Sequence, residues 1–489
     1  MSFFRRADIG VMERAAIGLR AIAGKGVYGV VTDIARRYGV SRTFVYELRS
    51  SIFNGLDAGF PDVGTARTSD YELSDNLILL MRLCCKSSIA GISEALKIIG
   101  LPHSSVGYIS EFLNRKSSLA VEELPVPDAP VTVLADEIFA SGDPILVILE
   151  AESHAILAVE LAEDRSGDSW KSCFESLTRK GYVIKKIAKD LGTGMTKGMA
   201  GMDAVAQADL FHLLKNFDPY LGSLERAALS SIDAEDNALN VLWNRKSDGA
   251  IQKQFEKCVR LSGEAERRIR LYDDYDYLHK ELHAAFNPFE SNGVFRDEER
   301  LWGDVSAILD LLSEEFGKSD GIMKAVAFLR KHFEEYLPYV RELREALTKA
   351  EALLPEYLTK EVCMHYQKGL KSVAVKDYGK SKKLKTEADA HLKTALLAAG
   401  GSTMAAMVAK LRKNLNACVR SSSALEAKNS VIRQYLDSIS SQVTSNHLRL
   451  IAFYLNRKVA TRGKYKGFSP IERLSGVKYD SSILDALAG

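Results

Sequence analysis

Residues 131–162, VTVLADEIFASGDPILVILEAESHAILAVELA, decide the fold of this chain. They contain three apolar, β-branched runs of strand length, VTVLADEIF (131–139), PILVILEAE (144–152) and HAILAVELA (154–162), joined by short turns. Such runs with short connections predict an antiparallel meander. A helical pattern, DSWKSCFESLTRKG (168–181), follows and ends at a glycine, and YVIKKIAKD (182–190) adds a fourth strand.

The order strand, strand, strand, helix, strand is that of an RNase H-like half-domain, and helical sequence flanks it on both sides. EELPVPDAP (122–130) holds three of the 11 prolines and separates the helical pattern upstream from the strands. Residues 219–400 show long amphipathic helices, for example 250–285 and 340–354, without a strand signal. We therefore predict an α+β, mostly helical chain. Its segments are a helix-turn-helix region (1–120, with one or two modules), a Pro-rich linker (121–130), the first part of an RNase H-like domain (131–218), a helical insertion (219–400), and a helix with a basic tail that ends in the loop GFSPIERLSG (401–489).

Composition excludes several classes of protein. The chain has 489 residues, of which 46% are hydrophobic and 27% charged, which predicts two to four globular domains rather than a disordered or fibrous protein. No stretch approaches the roughly 20 apolar residues that span a bilayer, and the N-terminus lacks the apolar core of a signal peptide. We therefore expect a cytoplasmic protein. Its six cysteines contain no CxxC pair, which argues against a zinc module or a disulfide framework and predicts buried thiols.

Basic residues are concentrated in three zones, although the net charge is only +2. Residues 1–49 carry nine Lys/Arg against four Asp/Glu, and residues 368–385 and 457–478 each carry seven against one. Zones of this kind fit separate contacts with DNA phosphates, and the alternative is solvated helix faces.

Residues 31–49, VTDIARRYGVSRTFVYELR, fit a helix-turn-helix. Small Ala35 lets two helices approach, Gly39 supplies a left-handed turn, Ser41 caps the second helix and Val45 fills its inner face. The residues on the outer, N-terminal part of that helix are the predicted DNA contacts: Ser41, Arg42, Thr43, Tyr46 and Arg49. An ordinary helical hairpin is the alternative. A weaker version follows at 92–112, with Gly100 at the turn and Val106 facing inward.

Three carboxylates stand out as candidate metal ligands. Asp136 lies inside an apolar strand, where a charge is costly unless it is paired or bound to a metal. Asp190 ends the fourth strand, at the edge to which a neighbouring first strand would bring Asp136. Glu426, in SSSALEAKNSVIRQYLDS, shares a helix face with Asn429 and Arg433, which are placed to meet phosphate or to orient the carboxylates. Such ligands suit Mg²⁺, with Mn²⁺ as a substitute. Adjacent Glu137 is excluded because it points to the opposite face of the strand.

The chain resembles a bacterial insertion-sequence transposase of the DDE class over nearly its full length, without a match to one particular family. The phrases that carry the resemblance are the helix-turn-helix at 31–49, VLADEIF, IAKDLGTGMTKGM, QADLFHLLKNF at 207–217, and ALEAKNSVIRQY through HLRLIAFYLNRKVATRGKYKGFSPIERL. The resemblance implies an RNase H-like core with Asp136, Asp190 and Glu426 as ligands of two metal ions, and strand cleavage and strand transfer on double-stranded DNA. It also implies a homo-oligomer on DNA, without a membrane or small-molecule partner.

The same resemblance assigns further residues. Asp209-Leu-Phe-His212 is similar to the C/DxxH element of cut-and-paste transposases, which implies that His212 stands near the scissile phosphate; a structural histidine is the alternative. FYLNRK…RGKYKGFSPIERL resembles the closing signature of such catalytic domains, and its cations Arg462, Lys464 and Lys466 are candidate DNA contacts.

One departure from the compact members of that class is the 235 residues between Asp190 and Glu426. Residues 219–400 would then be an insertion similar to that of hAT-type transposases. Glu356 and Glu361 are alternative third ligands, but neither is followed by an Asn/Arg face. The competing functional hypotheses are a DNA-binding regulator whose RNase H-like domain is inactive or only architectural, and a structural or signalling helical protein without a sheet at 131–190.

Overall fold

The computed structural model describes residues 8–53, 70–120, 124–439 and 443–479. The chain divides into two compact units, one formed by Met1–Cys85 with Ile89–Phe112 and the other by Lys86–Ser88 with Leu113–Gly489. The first unit is helical, and the second contains one five-stranded sheet and many helices. The α+β, mostly helical class predicted from the sequence is confirmed.

In the first unit, α1 (Val11–Ala23) is followed by two helices in the segment for which a helix-turn-helix was predicted. The two helices are α2 (Val30–Arg37) and α3 (Arg42–Phe53), and Gly39 between them has a φ of +60°. The backbone N–H of Phe44 donates to Ser41 Oγ at 3.1 Å, which caps α3. Val45 is fully buried. A Cβ at Gly18 would lie 2.4 Å from Ile52 Cδ1 and 3.1 Å from the Leu48 carbonyl oxygen, so α1 packs closely on α3 at this glycine.

The weaker, second helical hairpin is also present but differs in its inner face. It follows α4 (Asp70–Leu83) and consists of α5 (Ile89–Ile98) and α6 (Val106–Leu119), with Gly100 at a φ of +72°. The prediction that Val106 faces inward is wrong, since Val106 is 51% exposed. Ile109 and Phe112 are buried instead. Val106 is the first residue of α6, before the helix reaches its packing partners.

The sheet contains the four predicted strands and one more. The strands are β1 (Val131–Ala140), β2 (Asp143–Glu150), β3 (Ile156–Leu161), β4 (Ile184–Lys189) and β5 (Val205–Ala208). The order is β3-β2-β1-β4-β5, with β1–β2 and β2–β3 antiparallel and β1–β4 and β4–β5 parallel. This is the mixed sheet expected of an RNase H-like domain. The sequence did not predict β5, because four residues, VAQA, carry no readable alternation.

Helices cover both faces of the sheet. On one face, α7 (Gly167–Arg179) buries Trp170 and Phe174 against Val133 and Ala135 of β1. On the other face lies α18 (Ser423–Leu436), whose Asn429 bonds to Asp136 of β1. A short helix, α8 (Thr193–Gly198), connects β4 towards β5.

The long helical segment after β5 shares its core with the end of that strand. It consists of α9 (Leu210–Leu214), α10 (Asp218–Trp243), α11 (Asp248–Ala285), α12 (Glu298–Phe316), α13 (Asp320–His332), a 3₁₀ turn (Phe333–Tyr336), α14 (Leu337–Glu351), α15 (Glu356–Ala374), α16 (Tyr378–Ala398) and α17 (Ser402–Ala417). Ala208 of β5, Leu213 of α9 and Leu343 of α14 belong to one buried cluster. The segment predicted as an insertion therefore packs directly against the edge of the sheet that β5 forms.

The C-terminal helices α19 (Ser445–Arg457) and α20 (Pro470–Ser475) close the opposite edge. Buried Asn456 of α19 accepts from the Ile156 N–H at 2.8 Å and donates to the Ile156 carbonyl at 3.0 Å, so its amide occupies backbone groups of edge strand β3. The prediction that GFSPIERLSG is a loop is wrong. Its centre is α20, which begins with a capping box between Ser469 and Glu472.

Two further sequence expectations concern cysteines and membranes. Cys173, Cys258 and Cys363 are buried as predicted, but Cys84 and Cys85 are exposed, because they follow the end of α4. Among the described residues, no helix combines the length and apolar character needed to cross a membrane.

Candidate functional site

The register of the two central parallel strands places Asp136 and Asp190 side by side. Ala135 of β1 pairs with Lys189 of β4, the last residue of that strand. The residues that follow this pair are Asp136, which continues β1, and Asp190, which comes directly after β4. β1 continues past this point and pairs Asp136 with Val147 of β2. Both aspartates thus lie at the carboxyl end of β4, where parallel strands present their side chains to a common site.

The surroundings of Asp136 are crowded with negative charge. Burial, together with the charges of Glu426 and Asp190, raises the pKa of Asp136 from 3.8 to about 7, and His212 acts in the opposite direction. The amide of Asn429 donates to Asp136 Oδ2 at 2.7 Å. The charges of Glu426, Asp190 and His212 therefore all affect the pKa of Asp136.

Helix α18 supplies Glu426 in its first turn and Asn429 one turn later. Glu426 is partly buried, Asn429 is fully buried, and Arg433 on the following turn is exposed. Of the two roles predicted for Asn429, its position favours orienting a carboxylate over meeting DNA. The Oδ1 atom of Asn429 is buried without a hydrogen-bond partner, so the pocket keeps an unused oxygen acceptor.

The alternative third ligands lie elsewhere. Glu356 pairs with Lys360 at 2.6 Å and Glu361 pairs with His391 at 2.8 Å, both on α15. Neither is among the charges that perturb Asp136. The charge of Glu426 acts on Asp136, whereas the other two glutamates form ion pairs within the helical segment.

Asp209 fixes the start of the helix that carries Glu426. It follows β5, is 1% exposed, and caps α9 by accepting from the Phe211 N–H at 2.7 Å. Its other oxygen accepts from the Ser422 N–H at 2.8 Å and from the Ser422 hydroxyl, and Ser422 is the N-cap residue of α18. Burial opposes ionisation, but the nearby His212 ring and the hydrogen bonds from Ser422 outweigh it and lower the pKa of Asp209. Sequence reasoning missed this contact because 213 residues separate the two partners.

His212 lies between Asp209 and the carboxylate site. Its side chain is 12% exposed, and Nδ1 is 3.6 Å from Asp209 Oδ2, an ion-pair distance longer than a hydrogen bond. Burial disfavours the charged ring, but Asp209 outweighs that effect and raises the pKa of His212. A positively charged His212 would partly offset the negative charge around Asp136 and Asp190.

Glycines shape the loop that carries Asp190. The Gly192 N–H donates to Asp190 Oδ1 at 2.9 Å. A Cβ at Gly194 would come within 2.0 Å of the Arg165 carbonyl oxygen, and one at Gly198 within 2.5 Å of Trp170 Cβ. The GTGMTKG sequence therefore allows α8 to pack on α7, which holds the Asp190 loop against the end of the sheet.

Glu137 points away from Asp136, as strand alternation predicts, but remains close to Asp190. Arg165 Nη1 lies 3.2 Å from Glu137 Oε1. Burial and the charge of Asp190 raise the pKa of Glu137. Glu137, Arg165, Asp190 and Lys197 line one cavity. Asp190 thus borders acidic groups on both faces of β1, which the sequence did not indicate.

The oxygen donors around Asp136 are of the type that binds hard divalent cations. The carboxylates of Asp136, Asp190 and Glu426 are spaced more widely than ligands that all bind one ion. Among the described residues, the one group with three ligand atoms within 4.8 Å of one another is Asp218, His279 and His283, and the carboxylates of Asp136, Asp190 and Glu426 do not form such a group. Two ions about 4 Å apart require ligands over a wider span. Three carboxylates and the unpartnered Asn429 oxygen are oxygen donors of the type that Mg²⁺ prefers.

Lys428, on the helix that carries Glu426, and Lys458, Lys464 and Arg473 of the C-terminal segment are defined here as the basic cluster. Burial, Arg473 and Lys458 lower the pKa of Lys428 to about 8. Burial, together with the charges of Arg473, Lys428 and Lys464, lowers the pKa of His154 to about 4. The predicted contacts Arg462, Lys464 and Lys466 are exposed in the loop before α20. The sequence indicated the basic tail but not Lys428, because its neighbours in the cluster come from the tail.

In the first unit, the residues predicted to contact DNA lie on one accessible part of α3. Ser41, Arg42, Thr43 and Tyr46 are exposed. Arg49 is half-buried, with its guanidinium 5.1 Å from the centre of the Tyr46 ring. The outer face of α3 is therefore exposed at these positions.

No protein-family model and no curated protein matches the chain. Among solved structures, the chain is similar to the Drosophila P element transposase strand transfer complex, with 14% sequence identity and a TM-score of 0.30 over 62% of this chain and 87% of that chain. A similarity of this degree does not establish a shared function.

Proposed function

We propose that this protein is a DDE-class DNA transposase that binds the ends of a mobile DNA element and catalyses metal-dependent strand cleavage and strand transfer. The observation that carries the proposal is the position of Asp136, inside β1, beside Asp190, which directly follows the neighbouring strand β4, with the charge of Glu426 acting on Asp136. The third carboxylate of such a site would be Glu426 of α18, which is separated from Asp190 by 235 residues of sequence.

The three carboxylates would hold Mg²⁺, or Mn²⁺ in its place, which when bound activates a water or a 3′-hydroxyl and stabilises the leaving oxygen. The chain's own contribution is positioning. Asn429 fixes one oxygen of Asp136, and the Asp209–Ser422 bonds fix the start of α18. His212 offers a positive charge at the edge of the site, suited to a DNA phosphate. No side-chain nucleophile is needed.

DNA recognition is assigned to the outer face of α3, and retention of the phosphates to Arg433, the basic cluster and the tail loop with Arg462, Lys464 and Lys466. Lys and Arg side chains bind the DNA backbone without regard to sequence, whereas a recognition helix reads base edges. Because two element ends must be cut together, we propose a homo-oligomer on DNA, acting in the cytoplasm.

The direct test is cleavage of linear duplexes that carry the DNA on either side of the protein's own gene. With Mg²⁺ or Mn²⁺ we expect strand cuts at element ends, abolished by Asp136→Asn, Asp190→Asn or Glu426→Gln. Glu361→Gln is the matched control and should cleave normally. Sequence-specific binding without cleavage by the wild-type protein would favour the alternative, a DNA-binding regulator. Cleavage that survives all three substitutions would contradict the assignment of the site.

A further inference from the structure

A second group of potential metal ligands lies where the start of α10 meets the end of α11. Asp218 is the first residue of α10, six residues after His212. His279 and His283 lie one turn apart near the end of α11. His279 Nε2 is 3.0 Å from Asp218 Oδ1, and His283 Nε2 is 4.0 Å from the same oxygen. One ligand atom from each of the three residues lies within 4.8 Å of the other two.

We propose that Asp218, His279 and His283 bind a transition-metal ion, with Zn²⁺ as the metal that fits them best. The ion would join the start of α10 to the end of α11. Nothing in the transposition chemistry requires this ion. Its function would be to hold the helical hairpin to the segment that carries His212.

The ligand type selects the metal. Two imidazoles and one carboxylate are donors that Zn²⁺ accepts, whereas Mg²⁺ prefers oxygen ligands alone. Bonds of about 2.0–2.2 Å in tetrahedral geometry place neighbouring ligand atoms about 3.4 Å apart. The two measured nitrogen–oxygen distances, 3.0 and 4.0 Å, fall on either side of that value. Small rotations of exposed side chains would equalise them.

The site is also held in place by its surroundings. The His279 ring stacks on Tyr275, with ring centres 6.1 Å apart and planes inclined by 26°. Buried Tyr275 in turn donates its hydroxyl to the carbonyl of Phe217, the residue before Asp218, at 2.7 Å. One side chain therefore orients both a ligand from α11 and the backbone that carries the ligand from α10.

An open position remains for a fourth ligand. Asp218 and His283 line a cavity that also includes Lys215 and Phe211 of the α9 segment. His279 is 13% exposed and His283 is 45% exposed. A water molecule can therefore complete a four-coordinate site from the cavity side.

Other His–carboxylate pairs in the described part of the chain supply matched controls. His391 lies 2.8 Å from Glu361, and His332 lies 2.6 Å from Glu335. Neither pair belongs to a group of three ligand atoms within 4.8 Å in that part of the chain. A hydrogen-bonded pair alone should not bind Zn²⁺ tightly.

The test is Zn²⁺ titration of the full chain by calorimetry, in the Asp136→Asn background to weaken binding at the carboxylate site. We expect one tightly bound Zn²⁺ per chain. His279→Ala and His283→Ala should each weaken its binding by about tenfold or more, while His391→Ala leaves it unchanged. Co²⁺ in place of Zn²⁺ should give the visible absorption of a tetrahedral site, which disappears in the same two variants.

Circular dichroism shows whether each variant is folded, and because His283 is nearly half exposed, its replacement should not disturb the helix. Zn²⁺ should also raise the unfolding temperature of the parent protein and of His391→Ala, but not of His283→Ala. The proposal is overturned if the folded parent protein binds no stoichiometric Zn²⁺, or if His283→Ala binds it as tightly as the parent. DNA cleavage is not measured, so this result is independent of the proposed transposase activity.

Discussion

Asp136→Asn should make the metal-free protein more stable at alkaline pH, although it removes a proposed catalytic residue. The substitution deletes the charge but keeps an oxygen that accepts from Asn429. In the folded protein the pKa of Asp136 is about 7 rather than 3.8. Since a shift of one pKa unit corresponds to about 1.4 kcal/mol, ionisation of Asp136 in the folded protein costs about 4 kcal/mol of folding free energy.

The sign follows from proton binding. Between about pH 4 and pH 7 the folded state holds a proton on Asp136 that the unfolded state has lost, so stability falls as the pH rises through this window. Above pH 7 the full cost is present, and below pH 4 it vanishes. The difference in unfolding free energy between Asp136→Asn and the wild type should therefore grow from near zero at pH 4 to about 4 kcal/mol at pH 8.5.

Urea denaturation in EDTA across pH 4–8.5 measures this difference, and other titrating groups cancel in the comparison. Asp236→Asn, an exposed carboxylate on α10, is the control and should show no such pH-dependent gain. Mg²⁺ at pH 8.5 should restore stability to the wild type and not to Asp136→Asn. Parallel stability curves for Asp136→Asn and the wild type would refute the reasoning, because they would mean that burial and the charges of Glu426 and Asp190 do not raise the pKa of Asp136.

Three further outcomes are expected. Asp209→Asn should lower the free energy of unfolding at pH 7 by about 2–4 kcal/mol in thermal unfolding. This loss should shrink as the pH falls below about 4, because Asp209, whose pKa is lowered in the folded state, stabilises the fold only when it is ionised. Gly194→Ala should cost about 1–3 kcal/mol by the same measurement, since its Cβ meets the Arg165 carbonyl, and an unchanged melting temperature would contradict the close packing. Arg42→Ala and Arg49→Ala should each weaken DNA binding and reduce its salt dependence by about one ion if the residue contacts a phosphate; binding as tight as that of the wild type in gel-shift assays would exclude α3 as the reader.

Local sequence patterns were sufficient for much of the fold. The apolar runs at 131–162 predicted β1 to β3, and Asp190 was placed at the end of a strand that does pair with β1. Gly39, Ser41 and Val45 take the turn, cap and core positions of a helix-turn-helix because each depends on backbone geometry that the neighbouring residues determine.

What the sequence did not reveal depends on long-range contacts or on short elements. The bonds from Ser422 to Asp209 and from Asn456 to Ile156 join residues 213 and 300 positions apart, and no local pattern records them. Strand β5 is too short for a periodic signal, and Val106 lies at the first residue of its helix, where helical periodicity does not determine burial. Glu426 was chosen by its helix face, and the structure brings that face to Asp136.

The most direct test of the carboxylate site is Mn²⁺ binding, measured by electron paramagnetic resonance at pH 8. The protein is bound to a duplex from the DNA on either side of its own gene. The account predicts bound Mn²⁺ in the wild type and in Glu361→Gln, and its loss in Asp136→Asn, Asp190→Asn and Glu426→Gln. Equal Mn²⁺ binding by all five proteins would contradict a divalent-cation site formed by these three residues.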